Sequence, residues 1–398
     1  MNQAPMTARR RRGVVFTLIA VASLVGLLAV FAVWAKRQLL ETETWTETST
    51  ELLADEDIEA AVATFTVDTL FTNVPVQEQL QQALPPRAAP AAGPIAGALR
   101  QLANNLALRA LQSPRVQELW EDANEEAHRK LLILVEEGGS EDVTLDLGDL
   151  VDQLGEQVGV SGAAERLPPE AAQIVILEND QLVAAQDTVD LLQTLAWVLT
   201  ALALLLYTLA IYLATGWRRI ALRDVGWAFV VVGIAVLILR GLAGDALTNH
   251  LATTSSVEPA VSSTWEIGTS LLEDGGGAVV FYGIVILIGA WLAGPVGLGH
   301  AARRELAPVL SGRGTAYGAL AVLLLLLFWW SPTPGFDRLP TSILIVLLFV
   351  VGLEALRHQA IRDFPDETWE VGMDRWRRRL RSLTSRRRRG GLPPTDAR

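Results

Sequence analysis

Six apolar runs divide the chain: Gly13–Ala35, Leu192–Ala214, Val225–Leu242, Ala278–Leu298, Ala316–Trp330 and Thr341–Leu356. A helix rises 1.5 Å per residue, so about 20 apolar residues cross the hydrocarbon core of a bilayer. The first, second and fourth runs meet that length, and the third, at 18 residues, clears the lower limit of about 17. The last two sit near the lower limit of about 17 residues and are joined by 'SPTPGFDRLP'. Two arrangements stay open for them, full crossing or a re-entrant hairpin; Trp329 and Trp330 favour crossing, because aromatic rings collect at the membrane interface. The pattern predicts an all-α membrane protein of about six transmembrane helices.

Residues 36–191 show a different rhythm, mostly helical and amphipathic. Ile58, Val62, Phe65 and Leu70 recur at helical spacing, and Thr48 with Glu51 fits a capping box before them. 'LPPRAAPAAGP' (84–94) reads as a connector rich in helix breakers, after which Leu99, Leu102 and Leu106 begin another helix. Ser113-Pro114 opens the next one, as N-cap and first-turn proline. Its Val116, Leu119, Trp120, Ala123, Ala127, Leu131 and Leu134 share a face expected to be core, and Gly138-Gly139 ends it. 'VTLDL' (143–147) and 'QIVIL' (173–177) read as two short strands. From Gln181 the helical pattern runs unbroken into the second apolar run.

Charge orients these elements. Arg9 to Arg12 precede the first run, and Lys36 and Arg37 follow it. The run is longer than the roughly 7–15 residues of a signal-peptide core, so it reads as an uncleaved signal-anchor with residues 1–12 in the cytoplasm. Arg218, Arg219 and Arg223 in the 215–224 loop, Arg303, Arg304 and Arg313 in the 299–315 loop, and the arginine-rich tail 357–398 then all fall inside. The 245–277 loop holds five acids and no Lys or Arg, and falls outside. Residues 38–190 carry 29 acids against 7 bases, a net charge of −22; with a total of −11, the remainder is +11. The expected organisation is an acidic extracytoplasmic domain (36–191), a membrane bundle (192–356), and cytoplasmic termini in a bacterial plasma membrane.

Composition narrows the chemistry. The chain has 398 residues, 51% hydrophobic, and no cysteine, which excludes disulfides, thiol catalysis and cysteine-ligated metal. Glu125 and His128 form Glu-x-x-His, the spacing of di-iron bundles, but the second copy such a site needs is missing. They and Glu121 therefore read as solvated residues flanking the apolar face. 'EDVTLDLGDLVD' (141–152) does not match a calcium loop, and 'GPVGLGHA' (294–301) sits at a span end, not between strand and helix. No catalytic, cofactor or metal site is predicted. Arg240 lies about one turn from the outer end of its span, with Asp245 just beyond, and reads as snorkelling or pairing. Glu354 precedes Arg357 and His358 at helix-pair distances, a juxtamembrane cluster at the inner surface. Ala290/Gly294 and Gly314/Gly318 are spaced for close helix approach.

The tail offers one further surface. Met373, Trp376, Leu380 and Leu383 fall on one helical face of 373–389, with Arg377, Arg378 and Arg379 around the rest. That pattern predicts a helix lying on anionic lipid; a soluble tail that only sets topology is the second reading, and nucleic acid is not the expected partner.

The stretches 'TETWTETSTELLADEDIEAAVA' (42–63), 'LPPRAAPAAGPIAGAL' (84–99), 'SPRVQELWEDANEEAHRKLL' (113–132), 'VTLDLGDLVDQL' (143–154) and 'IVILENDQLVAAQ' (174–186) resemble an uncharacterised family of multi-pass integral membrane proteins of actinobacteria. The arginine-rich, lysine-poor composition agrees with that source. The resemblance covers roughly residues 40–245. It implies an N-terminal span, an exported helical domain and a membrane bundle, and it carries no functional residues. The expected function is non-enzymatic, an envelope interaction or sensory protein whose exported domain meets a ligand or partner protein. The alternative is a transport protein or permease component with an ABC-export-like topology; an intramembrane enzyme comes third.

Overall fold

The computed structural model describes residues 8–137, 143–146, 173–177, 179–251, 257–294, 298–330 and 339–363. Helices dominate them: α1 (Ala8–Leu40), α2 (Thr42–Ala54), α3 (Glu56–Asn73), α4 (Val76–Ala83), α5 (Ala92–Leu111), α6 (Pro114–Glu137), α7 (Asn179–Leu213), α8 (Arg218–Leu251), α9 (Glu258–Gly268), α10 (Ser270–Leu292), α11 (Leu298–Ser311), α12 (Arg313–Trp330) and α13 (Leu339–Asp363). Val143–Asp146 (β1) and Gln173–Leu177 (β2) pair antiparallel. Four helices, α1, α7, α8 and α10, are long and apolar enough to cross a membrane. A fifth crossing results if α11 and α12, bent 108° at their break, count as one. The sixth apolar run falls within α13.

Two compact units emerge, Met1–Leu27 with Leu202–Leu237 and Glu273–Arg398, and Leu28–Ala201 with Ile238–Leu272. In the first, Val15, Ile19 and Ala22 of α1 pack with Tyr207, Ala210 and Ala214, and with Ala221 and Val225 of α8. Tyr207 donates a hydrogen bond to Ser23 Oγ at 3.1 Å. Small residues let α8 and α10 approach closely. A Cβ on Gly233 would lie 2.6 Å from the Gly276 carbonyl oxygen, and one on Gly283 would lie 2.9 Å from the Gly226 carbonyl oxygen. These glycines stand seven residues apart on each helix, so the same stripe returns to the seam every two turns. One heptad before Gly226 comes Arg219, whose Nε donates to the Ala290 carbonyl at 2.8 Å, one heptad after Gly283. At Gly314 and Gly318 nothing among the described residues lies within 4 Å of a Cβ position.

The 299–315 stretch, expected as a loop, holds the amphipathic helix α11, whose Leu310 packs with Ala316 and Ala360. Arg357 Nε donates to the Leu310 carbonyl at 3.2 Å.

In the second unit α2 packs on α6, α3 on α5, and α9 on both α2 and α3. The cap of α3 is Asp55, which accepts from the amides of Asp57 and Ile58 at 3.1 Å. The expected capping box at Thr48 does not form: Thr48 lies inside α2 and its hydroxyl donates to the Thr44 carbonyl. α5 begins earlier than expected, at Ala92, because Pro94 falls in its first turn, where no amide donor is required. The face of α6 predicted as core is largely outside. Leu119, Trp120, Ala123, Ala127, Leu131 and Leu134 are exposed, while His128 and Val135 are buried. The cause lies in α2, whose buried residues are Thr44, Thr46, Ser49 and Leu53. The hydroxyls of Thr44, Thr46 and Ser49 make no hydrogen bond to α6 among the described residues; the bonds that cross this seam come from α6, through Trp120 and His128.

Candidate functional site

The α2–α6 seam is closed by two polar pins. Trp120 Nε1 donates to the Ser49 carbonyl at 2.9 Å, although the ring stays 43% exposed. His128, expected on the solvated flank, is only 6% exposed. One ring nitrogen lies 3.2 Å from the Leu39 carbonyl and the other 3.1 Å from Thr42 Oγ1. A carbonyl only accepts, so Nε2 carries the proton and Nδ1 accepts from the threonine hydroxyl. The ring stacks on Trp45, with centroids 5.0 Å apart and planes 16° apart. Burial lowers its pKa below the usual histidine value, and the Leu39 hydrogen bond opposes that shift in part. His128 thus serves as a neutral pin between α6 and the α1–α2 junction.

Beside these pins runs an open groove of ≈ 680 Å³. Glu43, Glu47 and Glu51 project from α2 at four-residue spacing, so they share one wall. Glu121, Glu125 and Arg129 repeat that spacing on α6 and form the other wall. Arg129 pairs with Glu125 at 3.5 Å and with Glu126. Glu43, Glu47, Glu51 and Glu121 make no ion pair among the described residues. The groove floor includes Thr46 and Thr50, whose buried hydroxyls have no hydrogen-bond partner. Among the described residues no three acids or histidines converge as metal ligands. The groove was not foreseen from sequence, although the Thr/Glu alternation of 42–51 was its signal.

The structure separates the other sequence-predicted positions. Arg240 caps a helix end: its Nε lies 2.9 Å from Thr269 Oγ1 and 3.2 Å from the Thr269 carbonyl, and Nη2 lies 3.2 Å from the Glu266 carbonyl. Those carbonyls end α9, where orphan acceptors and the helix dipole favour a cation. Glu354 accepts from Tyr317 at 2.9 Å and lies 3.5 Å from Arg357 and 3.4 Å from His358. Trp376, Leu380, Leu383, Arg377, Arg378 and Arg379 lie outside the described residues. Compared with protein-family models, curated proteins and solved structures, the chain finds no match.

Proposed function

We propose that this chain is a non-enzymatic plasma-membrane protein whose exported acidic domain meets a ligand or partner at the bacterial envelope. In this reading the chain crosses six times, with α12 and α13 as the last two spans. The first span is a retained anchor, both termini are cytoplasmic, and residues 36–191 lie outside, as in the actinobacterial family the sequence resembles. The observation that carries it is the groove between α2 and α6. It is sized for an organic ligand, and four of its carboxylates make no ion pair among the described residues. The charge distribution supports the orientation, with −22 in residues 38–190 and arginines in every loop assigned inside. The tail 373–389 adds a surface for anionic lipid on the inner leaflet.

Reporter fusions test the arrangement. Fusions after residues 150 and 260 read outside; those after 220, 308 and 390 read inside. An inside reading at 150 removes the exported domain and the function with it.

A further inference from the structure

The groove has a chemical bias that names its ligand class. Five carboxylates and one arginine line it, for a local charge near −4. That charge is spread, not focused: no three acids converge as an ion's ligands among the described residues. Along each wall the carboxylates step by four residues, about 6 Å of helix rise. Three or four methylenes separate successive amines of an extended polyamine by a comparable distance.

A second observation marks the floor. Thr46 is 7% exposed, and its hydroxyl has no hydrogen-bond partner. It sits on the groove-facing stripe of α2 between Glu43 and Glu47, with the unpartnered Thr50 hydroxyl one turn on. A buried hydroxyl without a partner is unfavourable and calls for an explanation. Elsewhere in α2 the hydroxyl of Thr48 satisfies itself on the carbonyl four residues back; Thr46 and Thr50 do not. Both residues line the groove, and a turn about χ1 brings either hydroxyl to an ammonium group held between the glutamate walls. Hydrogen bonds with one charged partner are the stronger kind.

We infer that the α2–α6 groove binds a linear organic polycation, its ammonium groups set against Glu43, Glu47, Glu51 and Glu121 and over the Thr46 hydroxyl. This rests on the reading that the domain faces outward and meets a ligand. It identifies that ligand as a polyamine, in preference to a metal ion or a basic protein.

The test uses the full chain in detergent, with spermine as probe and calorimetry as readout. Spermine binds saturably at one site. Glu47→Gln with Glu121→Gln weakens it at least tenfold. Thr46→Val, which keeps charge and shape, weakens it at least threefold while the ligand-free protein melts no lower, since an unsatisfied hydroxyl has been removed. A merely structural threonine would not separate those two readouts. Unchanged binding in Thr46→Val overturns the proposal in favour of a diffuse acidic cloud. So does equal binding of magnesium at matched ionic strength, or an arginine-rich peptide that displaces spermine at lower concentration. Impermeant-maleimide labelling of Glu51→Cys in intact cells stands apart from these results. Labelling without spermine binding removes the ligand class alone; no labelling removes the outward-facing domain.

Discussion

Replacing Gly233 by alanine adds one methyl group at the tightest point between α8 and α10. Its Cβ would lie 2.6 Å from the Gly276 carbonyl oxygen and 2.8 Å from the Val280 amide nitrogen. Ordinary contact begins near 3.4 Å, so the helices must part by about 0.8 Å. Backbone atoms cannot rotate aside, and the lost contacts extend along the seam because van der Waals attraction falls steeply with separation. Overpacking of this kind costs about 1–3 kcal/mol. Alanine recovers about 1 kcal/mol of helix propensity over glycine, which leaves a net loss of up to about 2 kcal/mol, and a gap of about 1–3 kcal/mol to a glycine replaced without a clash. Gly241 on the same helix supplies the control: nothing lies within 4 Å of its Cβ position. Gly241→Ala therefore retains only the propensity gain and is neutral or stabilising. Gly283→Ala, which meets the Val230 amide at 2.8 Å, should follow Gly233→Ala. Gly276→Ala should be milder, because it meets the movable end of Leu237. Unfolding in mixed detergent, followed by tryptophan fluorescence, ranks the four. A Gly233→Ala protein as stable as Gly241→Ala refutes the close-packed seam.

Three further tests concern residues 36–191 and the tail. His128 is held neutral, with its pKa lowered by burial, whereas in the unfolded chain it takes a proton near pH 6.5. Below about pH 6.5 the unfolded state therefore binds the extra proton and stability falls, until the pH passes the lower folded value; above 6.5 this group contributes no slope. Denaturation between pH 5 and 8 should show that loss in the parent and not in His128→Ala, which starts about 1–3 kcal/mol less stable because Thr42 and Leu39 lose their partner. Trp120→Phe removes only the donor to Ser49 and costs about 1 kcal/mol. Trp120→Ala should fall short of the 3–5 kcal/mol typical of a fully buried tryptophan, and a full-sized loss by thermal melting would contradict its half-exposed position. A 373–389 peptide should bind vesicles only with anionic lipid and weaken with salt; Trp376→Ala with Leu380→Ala should weaken it further although every arginine remains. Equal binding by the double variant would refute the helical face.

The apolar runs were legible because burial in lipid imposes a long, unbroken hydrophobic signal. The helix continuing from Gln181 into α7 was legible for a related reason, since no breaker interrupts it. The seam between α2 and α6 was not. Leu119, Trp120 and Leu131 carry the stronger amphipathic signal, yet the structure buries His128, because its two ring nitrogens find Leu39 and Thr42. A hydrogen-bonded seam leaves no hydrophobic period to read. The α8–α10 ladder was hidden differently. Gly226, Gly233, Gly276 and Gly283 are plain in the sequence, but their meaning depends on antiparallel pairing in one register, which no single helix reveals. The groove follows from the same cause: Glu43, Glu47 and Glu51 read as a solvated face until α6 supplies the opposite wall.

The absence of cysteine makes one measurement direct. Single cysteines at Glu47 and Arg223, both on exposed positions, can be labelled with a membrane-impermeant maleimide on a silent background. The account predicts that Glu47→Cys labels in intact cells and that Arg223→Cys labels only after permeabilisation. Labelling of Arg223→Cys in intact cells, with Glu47→Cys protected until the membrane is opened, would invert the orientation and contradict an exported ligand-binding domain.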